Sequence, residues 1–271
     1  MSATPVNASA ITSRDNPLLV KLRKLAQEPT AYRKLGALWL EGDHLCSALQ
    51  LRGKPASRAL ITESAWAGDA TLRALAAWAP QVHVLPDALF KGISGLESPA
   101  RLGFVLEGEA LAALGGGGAA AVLPGVDSVV LDRLQDAGNV GSILRTAAAF
   151  GVRQVVALQG TAALWSPKVL RAGMGAHFAL HLVEGLGLDD LAALQLPLVG
   201  TSLATEQLLP TAPLPQPCAW VLGHEGQGVS AALLARCSLT VRIPQPGGEE
   251  SLNVAAAAAV CLYESARRNP V

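Results

Sequence analysis

Aromatic residues are scarce in this chain of 271 residues: four Phe, two Tyr and five Trp make up 4% of it. That is too few for a sheet that stacks successive bases on exposed rings, as RNA-recognition modules do. Cysteine is limited to Cys46, Cys218, Cys237 and Cys261, with no CxxC pair among them. Neither a zinc site nor a disulfide scaffold is indicated, and the reduced thiols of a cytoplasmic protein are expected. Net charge is missing too, since 21 Lys+Arg balance 21 Asp+Glu. A globally basic surface is thereby excluded, although a local basic patch is not. Long uninterrupted apolar runs are lacking. Residues 110–126 contain Gly115 to Gly118, Pro124 and Gly125, and residues 207–223 contain Pro210, Pro213, Pro215 and Pro217. Neither stretch reads as a membrane-spanning helix. The chain does not open on a basic segment followed by an apolar one, so no secretory signal is read.

Several catalytic signatures are absent as well. There is no HExxH, no Ser-His-Asp order and no paired-carboxylate pattern. No Lys-Ser or Lys-Thr follows Gly115 to Gly118, which excludes a P-loop. A GxGxxG loop with an acidic residue about twenty positions further on, the mark of a Rossmann-type nucleotide site, is not found. His44, His83, His177, His181 and His224 are scattered and read as structural; no metal site is expected.

What is present is a folding composition, 51% hydrophobic and 15% charged. The four glycines read as a linker, giving domains at 1–114 and 126–271 joined by 115–125. The chain up to Gly118 carries 12 basic and 10 acidic residues, and the remainder 9 and 11. Between Arg14 and Arg58 stand nine basic and four acidic residues, among them Lys21, Arg23, Lys24, Arg33 and Lys34. This segment reads either as a solvated helix face or as a surface that meets phosphates.

Periodicity predicts helices from Asn16-Pro17 through Leu25, over 43–51 and over 71–78. Strands are predicted at 37–40, 58–62 and 81–85. Strand and helix alternate, so the first part is a small α/β unit. In the second part the strand 126–131, the helix 140–150 and the strand 152–158 form a βαβ unit, which implies a parallel sheet. Gly151 sits where a left-handed C-cap is wanted. Ser166-Pro167 opens a further helix. Residues 196–202, 219–222 and 241–243 read as strands and 254–268 as the closing helix.

Three segments of the second part concentrate polar groups and glycine. Asp132 to Thr146 leaves a strand and enters a helix, the place where open α/β sheets bind ligands; Arg145 is the only charge between Asp136 and Arg153, catalytic or merely a surface helix arginine. Val221 to Ser230 runs from a buried strand into a loop with Gly223, Gly226 and Gly228, which either offers backbone groups to a cofactor or makes a tight turn. Ile243 to Val254 passes through Pro and Gly to Ser251 and Asn253, both good helix caps.

Taken together and in this order, Asn139-Val140-Gly141-Ser142-Ile143-Leu144-Arg145-Thr146, then Gly223-His224-Glu225-Gly226-Gln227-Gly228, then Ile243-Pro244…Glu250-Ser251-Leu252-Asn253-Val254 closely resemble the three motifs of the SpoU (TrmH-like) RNA 2′-O-ribose methyltransferases. Ser166-Pro167-Lys168…Arg171 through Phe178 and Cys261 through Arg268 resemble the same family. The opening Ile11 to Pro17 and Leu40 to Leu45 resemble its preceding substrate-binding domain. Two positions differ from the family pattern: His224 replaces a small residue, and Ala255 and Ala256 follow where Ser and Val are common. The first bears on substrate fit, the second on local hydrogen bonding.

The resemblance implies a small N-terminal α/β substrate-binding domain followed by a SPOUT methyltransferase domain with a parallel sheet and a C-terminal trefoil knot. Sheet patterning alone predicts no knot. The resemblance further implies S-adenosylmethionine held at Gly223, Ile243, Leu252 and Thr201. It implies a homodimer whose active site lies at the interface, RNA as partner, ribosomal before transfer RNA, and no membrane. A non-catalytic RNA-binding protein that kept the fold is the alternative. Arg145 is the expected catalytic residue. A guanidinium with a pKa above about 12 is a poor base near neutral pH, so the residue reads better as a clamp on the adjacent phosphate that stabilises developing alkoxide charge. Asn139 and Asn253 would orient groups around it, and Glu225 and Ser251 would hold loops or ribose. Lys168 and Arg171 join the expected RNA-facing cations.

Overall fold

The computed structural model describes residues 8–115, 117, 120–247 and 251–268. Gly116, Gly118, Glu249 and Glu250 from the linker and third motif lie outside the described residues. The chain divides into two compact units: residues 1–117 with 165–178, and residues 118–164 with 179–271.

The first unit contains β1 (Ala8–Ala10), α1 (Pro17–Gln27), α2 (Ala31–Leu35), β2 (Ala37–Glu41), α3 (Asp43–Leu51), β3 (Arg58–Thr62), α4 (Glu63–Gly68), α5 (Ala70–Ala76), β4 (Val82–Leu85), α6 (Asp87–Lys91), β5 (Leu102–Glu107) and α7 (Gly108–Ala112). Its sheet runs β1-β4-β3-β5-β2, parallel from β1 to β3 and antiparallel through β5 and β2. Helix α1 starts as its residues dictate. The Asn16 carboxamide accepts the Leu18 N–H at 2.9 Å, Pro17 occupies the first turn, and Leu19, Leu22 and Leu25 recur at helical spacing and are buried. Helix α5 begins one residue before the predicted span because the Asp69 carboxylate accepts the Leu72 N–H at 3.0 Å. Strand β5 escaped the sequence pattern because Gly103 interrupts it. That glycine is demanded by packing: a Cβ there would lie 2.1 Å from the ring of buried Trp39.

The second unit contains β6 (Ser128–Asp132), α8 (Ala137–Ala149), β7 (Gln154–Leu158), β8 (His181–Leu186), β9 (Leu198–Thr201), β10 (Ala219–Gly223), α10 (Ala231–Leu234), β11 (Leu239–Val241) and α11 (Val254–Arg268); α9 (Pro167–Gly173), which falls between β7 and β8 in the chain, packs against α1 and β2 of the first unit. The six strands are ordered β11-β9-β10-β6-β7-β8 and every neighbouring pair is parallel. The mixed α/β class with a parallel sheet is the one expected. Each residue of β6, β7 and β10 is buried, as a parallel sheet covered on both faces requires. Helix α8 begins at Ala137, earlier than the predicted 140, because the Asp136 carboxylate caps it by accepting the Asn139 N–H at 2.7 Å. The strand predicted at 241–243 is displaced to Leu239–Val241. Arg242 has left the sheet: its N–H donates to the Gln207 carbonyl and its own carbonyl accepts the Leu209 N–H, both at 2.9 Å.

Gly103→Ala is expected to overpack the Trp39 contact and destabilise the protein by about 1–3 kcal/mol, read as a lowered denaturation midpoint.

Candidate active site

Strands β6, β9, β10 and β11 all end at the same edge of the parallel sheet, and the loops that follow three of them wall a cleft of about 550 Å³. Thr201 closes β9 and Gly223 closes β10 at its rim, with Ile243 and Leu252 from the segment after β11. Thus the four expected cofactor positions line one cavity. Glu225 and Ser251 line it too.

The loop after β10 folds back onto its own strand. The Gly228 N–H donates to the His224 carbonyl at 2.8 Å, and a Cβ on Gly223 would lie 2.0 Å from the Val229 nitrogen and 2.1 Å from the Gly228 carbonyl carbon. Only hydrogen fits there. His224 also turns inward on the loop, its Nδ1 accepting the Gly226 N–H at 3.1 Å.

Two carboxylates tie this loop to the end of β6 and the start of α8. Asp132, 2% exposed at the end of β6, accepts the Ser230 N–H at 2.7 Å and the Arg133 Nε–H at 3.0 Å. Arg133 in turn donates to the Gln227 side-chain oxygen at 3.2 Å. Burial alone would raise the Asp132 carboxyl; the Arg133 guanidinium and the Ser230 amide outweigh it and hold the group below the usual carboxylate range. Glu225 reaches the other way. Its carboxylate accepts the Asp136 N–H at 3.0 Å, the Gln135 N–H at 3.2 Å and the Asn139 amide at 3.2 Å. Burial pushes its carboxyl up, but these donors, together with the loop's own backbone, bring it below its ordinary value.

The network continues through Asn139, whose Oδ1 accepts from the Asn253 amide at 3.0 Å. Asn253 meanwhile caps α11, its Oδ1 accepting the Ala255 and Ala256 N–H groups at 2.9 and 3.2 Å. Glu225, Asn139 and Asn253 therefore form one continuous chain of hydrogen bonds joining all three motif segments. Arg145 stands apart. It lies on the exposed face of α8 with Gly138, Ser142 and Ala149, is absent from the cleft lining, and has no hydrogen-bond or ion-pair partner among the described residues. The cation at the cleft is Arg242.

The expected RNA-facing cations all fall in the first unit. Lys21 is committed to Glu107 at 2.5 Å, and Arg58 shares that carboxylate at 2.6 Å. Burial would raise the Glu107 carboxyl, yet the two cations hold it low. Arg23 donates to the Arg14 carbonyl at 2.5 Å, and Arg33 lies 5.4 Å over the Tyr32 ring. Arg171 is half-buried beside Gly95. Lys24, Lys34 and Lys168 are exposed, with no partner among the described residues.

Sequence reading gave no role to Asp132 or Arg133. The signal for Asp132 was a carboxylate ending the apolar strand Val129-Val130-Leu131, a position where charge needs a purpose. Among the described residues no three His, Cys, Asp or Glu side chains converge as a metal site, and no helix is long and apolar enough to cross a membrane.

A glycine-lined cleft at the carboxyl ends of parallel strands marks a ligand-binding α/β domain. The model of the SpoU rRNA Methylase family matches residues 128–263, and the chain belongs to that family. It is 33% identical to an uncharacterized tRNA/rRNA methyltransferase of Synechocystis sp. over 96% of this chain and 94% of that protein. It is 38% identical to the 23S rRNA (guanosine(2553)-2′-O)-methyltransferase RlmP of Bacillus subtilis, over 50% of this chain and 56% of that relative. The crystal structure of the SpoU methyltransferase AviRb from Streptomyces viridochromogenes superposes with a TM-score of 0.76 at 26% identity, covering 93% of this chain and 97% of the other.

The low Asp132 and Glu225 carboxyls mean that the stability they contribute is complete above their ordinary pKa of about 4 and is lost as the pH falls through the lowered native value. Asp132→Ala, which leaves the Ser230 amide unpaired and takes the carboxylate from Arg133, should cost about 1–3 kcal/mol at pH 7. The gap between variant and wild type should shrink in denaturation curves taken below pH 4.

Proposed function

We propose that this protein transfers the methyl group of S-adenosylmethionine to a ribose 2′-hydroxyl of RNA, with ribosomal RNA as the substrate. The observation that carries the reading is the single cleft that gathers Thr201, Gly223, Ile243 and Leu252 and is tied through Glu225 to Asn139 and Asn253. The cleft fits the donor. Its volume suits a nucleoside-sized ligand, and Gly226 and Gly228 in its wall present backbone groups with no side chain over them. The relative from B. subtilis is by name a 23S rRNA 2′-O-methyltransferase, which supports the substrate class. The trefoil knot implied by the family motifs belongs to this reading.

When bound, S-adenosylmethionine supplies an electrophilic methyl carbon on a sulfonium. Gly223, Ile243 and Leu252 would hold it through backbone groups, with Thr201 at the end of β9. The chain's remaining task is to set a hydroxyl oxygen in line behind that carbon at about 3 Å. Asn139 and Asn253 fix the relation between α8 and the start of α11, and Glu225 fixes the cleft loop to both. Arg145 is read as a phosphate clamp that also stabilises developing alkoxide charge. Its solvent-facing position outside the cleft fits a homodimer in which each copy completes the other's site. The exposed apolar groups Phe150 at the end of α8 and Val260 and Tyr263 on α11, with the Phe150 and Tyr263 rings 5.9 Å apart, fit the same arrangement. We assign residues 1–114 to RNA binding, 115–125 to a linker and 126–271 to methyl transfer in a cytoplasmic enzyme.

Mapping ribose methylation across total RNA from cells with and without this protein tests the reading; an unchanged map refutes it. Arg145→Ala should keep cofactor binding and lose about 10²-fold or more in turnover, whereas wild-type turnover would remove Arg145 from the mechanism. Replacing Lys24, Lys34 and Lys168 by Gln should flatten the salt dependence of RNA binding by about 0.7–0.9 in slope per lost phosphate contact; an unchanged slope would move the RNA surface elsewhere.

A further inference from the structure

The chain leaves one tryptophan open to water, and it lies in the first unit. Trp39, Trp165 and Trp220 are buried and Trp66 is half-buried, but Trp78, just past the end of α5, is 44% exposed. Its ring is nonetheless anchored. The indole Nε1–H donates to the Lys54 carbonyl at 3.4 Å, and that carbonyl belongs to a turn fixed at the end of α3. Gly53 takes the left-handed conformation there, with φ at +61°, and the Lys54 N–H returns to the Leu49 carbonyl at 3.2 Å. One edge of the indole is held while much of the ring stays in solvent. The segments that carry the ring and its anchor have charge of one sign. Arg52 is exposed and Lys54 half-buried, and neither side chain has a partner among the described residues. No Asp or Glu occurs in residues 44–62, which run from α3 through β3, nor in residues 70–86, which carry α5 and β4. Cations after a helix offset its dipole, which accounts for the charge but not for an indole left in water.

We propose that Trp78 is a stacking ledge for one unpaired base of the RNA substrate, with Arg52 and Lys54 on the adjoining phosphates, an assignment that rests on the RNA reading above. An open aromatic ring joined to uncompensated cations is the pairing that single strands need: the ring meets the face of a base and the cations meet the backbone. Every base has such a face, so the ledge takes any of the four. In an A-form duplex the base faces are covered by their neighbours, and the bases that reach a protein ring are those of loops, bulges and ends. The ledge therefore takes an unpaired nucleotide and passes over a paired one. A protein partner fits the patch less well. A stable protein interface takes about 800 Å² from each side, and Trp78 with the exposed Leu51 at the end of α3 offers far less apolar surface than that. One ring for one base also accords with a chain so poor in aromatics.

The test is fluorescence anisotropy of two labelled RNAs titrated with the full chain: a single strand of about 12 nucleotides and mixed sequence, within the span of one binding site, and the same strand annealed to its complement. Trp78→Ala should weaken single-strand binding by roughly 5- to 150-fold, the worth of one stacked base. It should leave duplex binding unchanged, which also shows the variant to be folded, and keep the wild-type salt slope, because no phosphate contact is lost. Trp78→Leu, which keeps apolar bulk without an aromatic face, should lose as much, whereas Trp78→Phe should retain most of the affinity. Replacing Arg52 and Lys54 by Gln should flatten the single-strand salt slope by about 0.7 per lost contact. Unchanged single-strand affinity in Trp78→Ala overturns the assignment and leaves the ledge to a protein partner. Wild-type affinity in Trp78→Leu, or an unchanged slope in the Arg52→Gln, Lys54→Gln variant, overturns it as well. Wild type that binds ribosomal RNA but not the single strand overturns the ledge alone; wild type that binds no RNA overturns the RNA reading itself, and the ledge falls with it.

Discussion

The second unit depends on a backbone laid against a backbone. At Gly223 the chain leaves β10, turns through Gly226 and Gly228, and returns so closely that no side chain fits between. A loop of that kind has little apolar surface to bury, and its stability has to come from polar anchors. Asp132 and Glu225 supply them from opposite directions, one taking the Ser230 amide and the other taking two amides at the start of α8. Both carboxylates stay ionised despite partial burial because each accepts several N–H groups, and charge-assisted hydrogen bonds of this kind are stronger than neutral ones. The cleft is the space those anchors keep open.

The anchors also couple the elements that the chemistry needs in register. Helix α8 starts where Asp136 caps it, and the same turn presents the Gln135 and Asp136 amides and the Asn139 side chain to Glu225. Helix α11 starts where Asn253 caps it, and the same asparagine reaches Asn139. Each capping residue thus has one bond that makes its helix and another that locates it. Far from the cleft, α11 is held by a second device: Arg268 donates to the carbonyls of Leu209, Pro210 and Ala212, while Glu264, its carboxyl lowered to about 2 by Arg267 and Arg268, orients both guanidinium groups.

The first unit solves a different problem. Its basic segment looked uniform in sequence, but folding sorts the cations. Lys21 and Arg58 converge on Glu107, Arg23 and Arg33 bond within the unit, and Lys24, Lys34 and Lys168 remain free for a polyanion. Phosphate attraction comes from cations whose charge is uncompensated, so the pairing decides which of them count. Lys168 joins the cations of this unit only because α9, remote in sequence, packs with α1 and β2.

Residue order by itself determined the local elements and the family. The leucines of α1, the Asn16 and Ser166 caps, the buried strands β6, β7 and β10 and the span of α11 follow from spacing and cap chemistry acting within a few residues. So does the membership carried by the three motifs. Tertiary structure alone decided what depends on contacts between distant segments. It revealed that Gly103 yields to Trp39, that Arg242 leaves the sheet to bond residues 207 and 209, that Lys21 is neutralised by a carboxylate 86 positions away, and that Arg145 faces solvent. Each of these is settled by which group arrives from elsewhere in the chain, and no short-range pattern encodes that arrival.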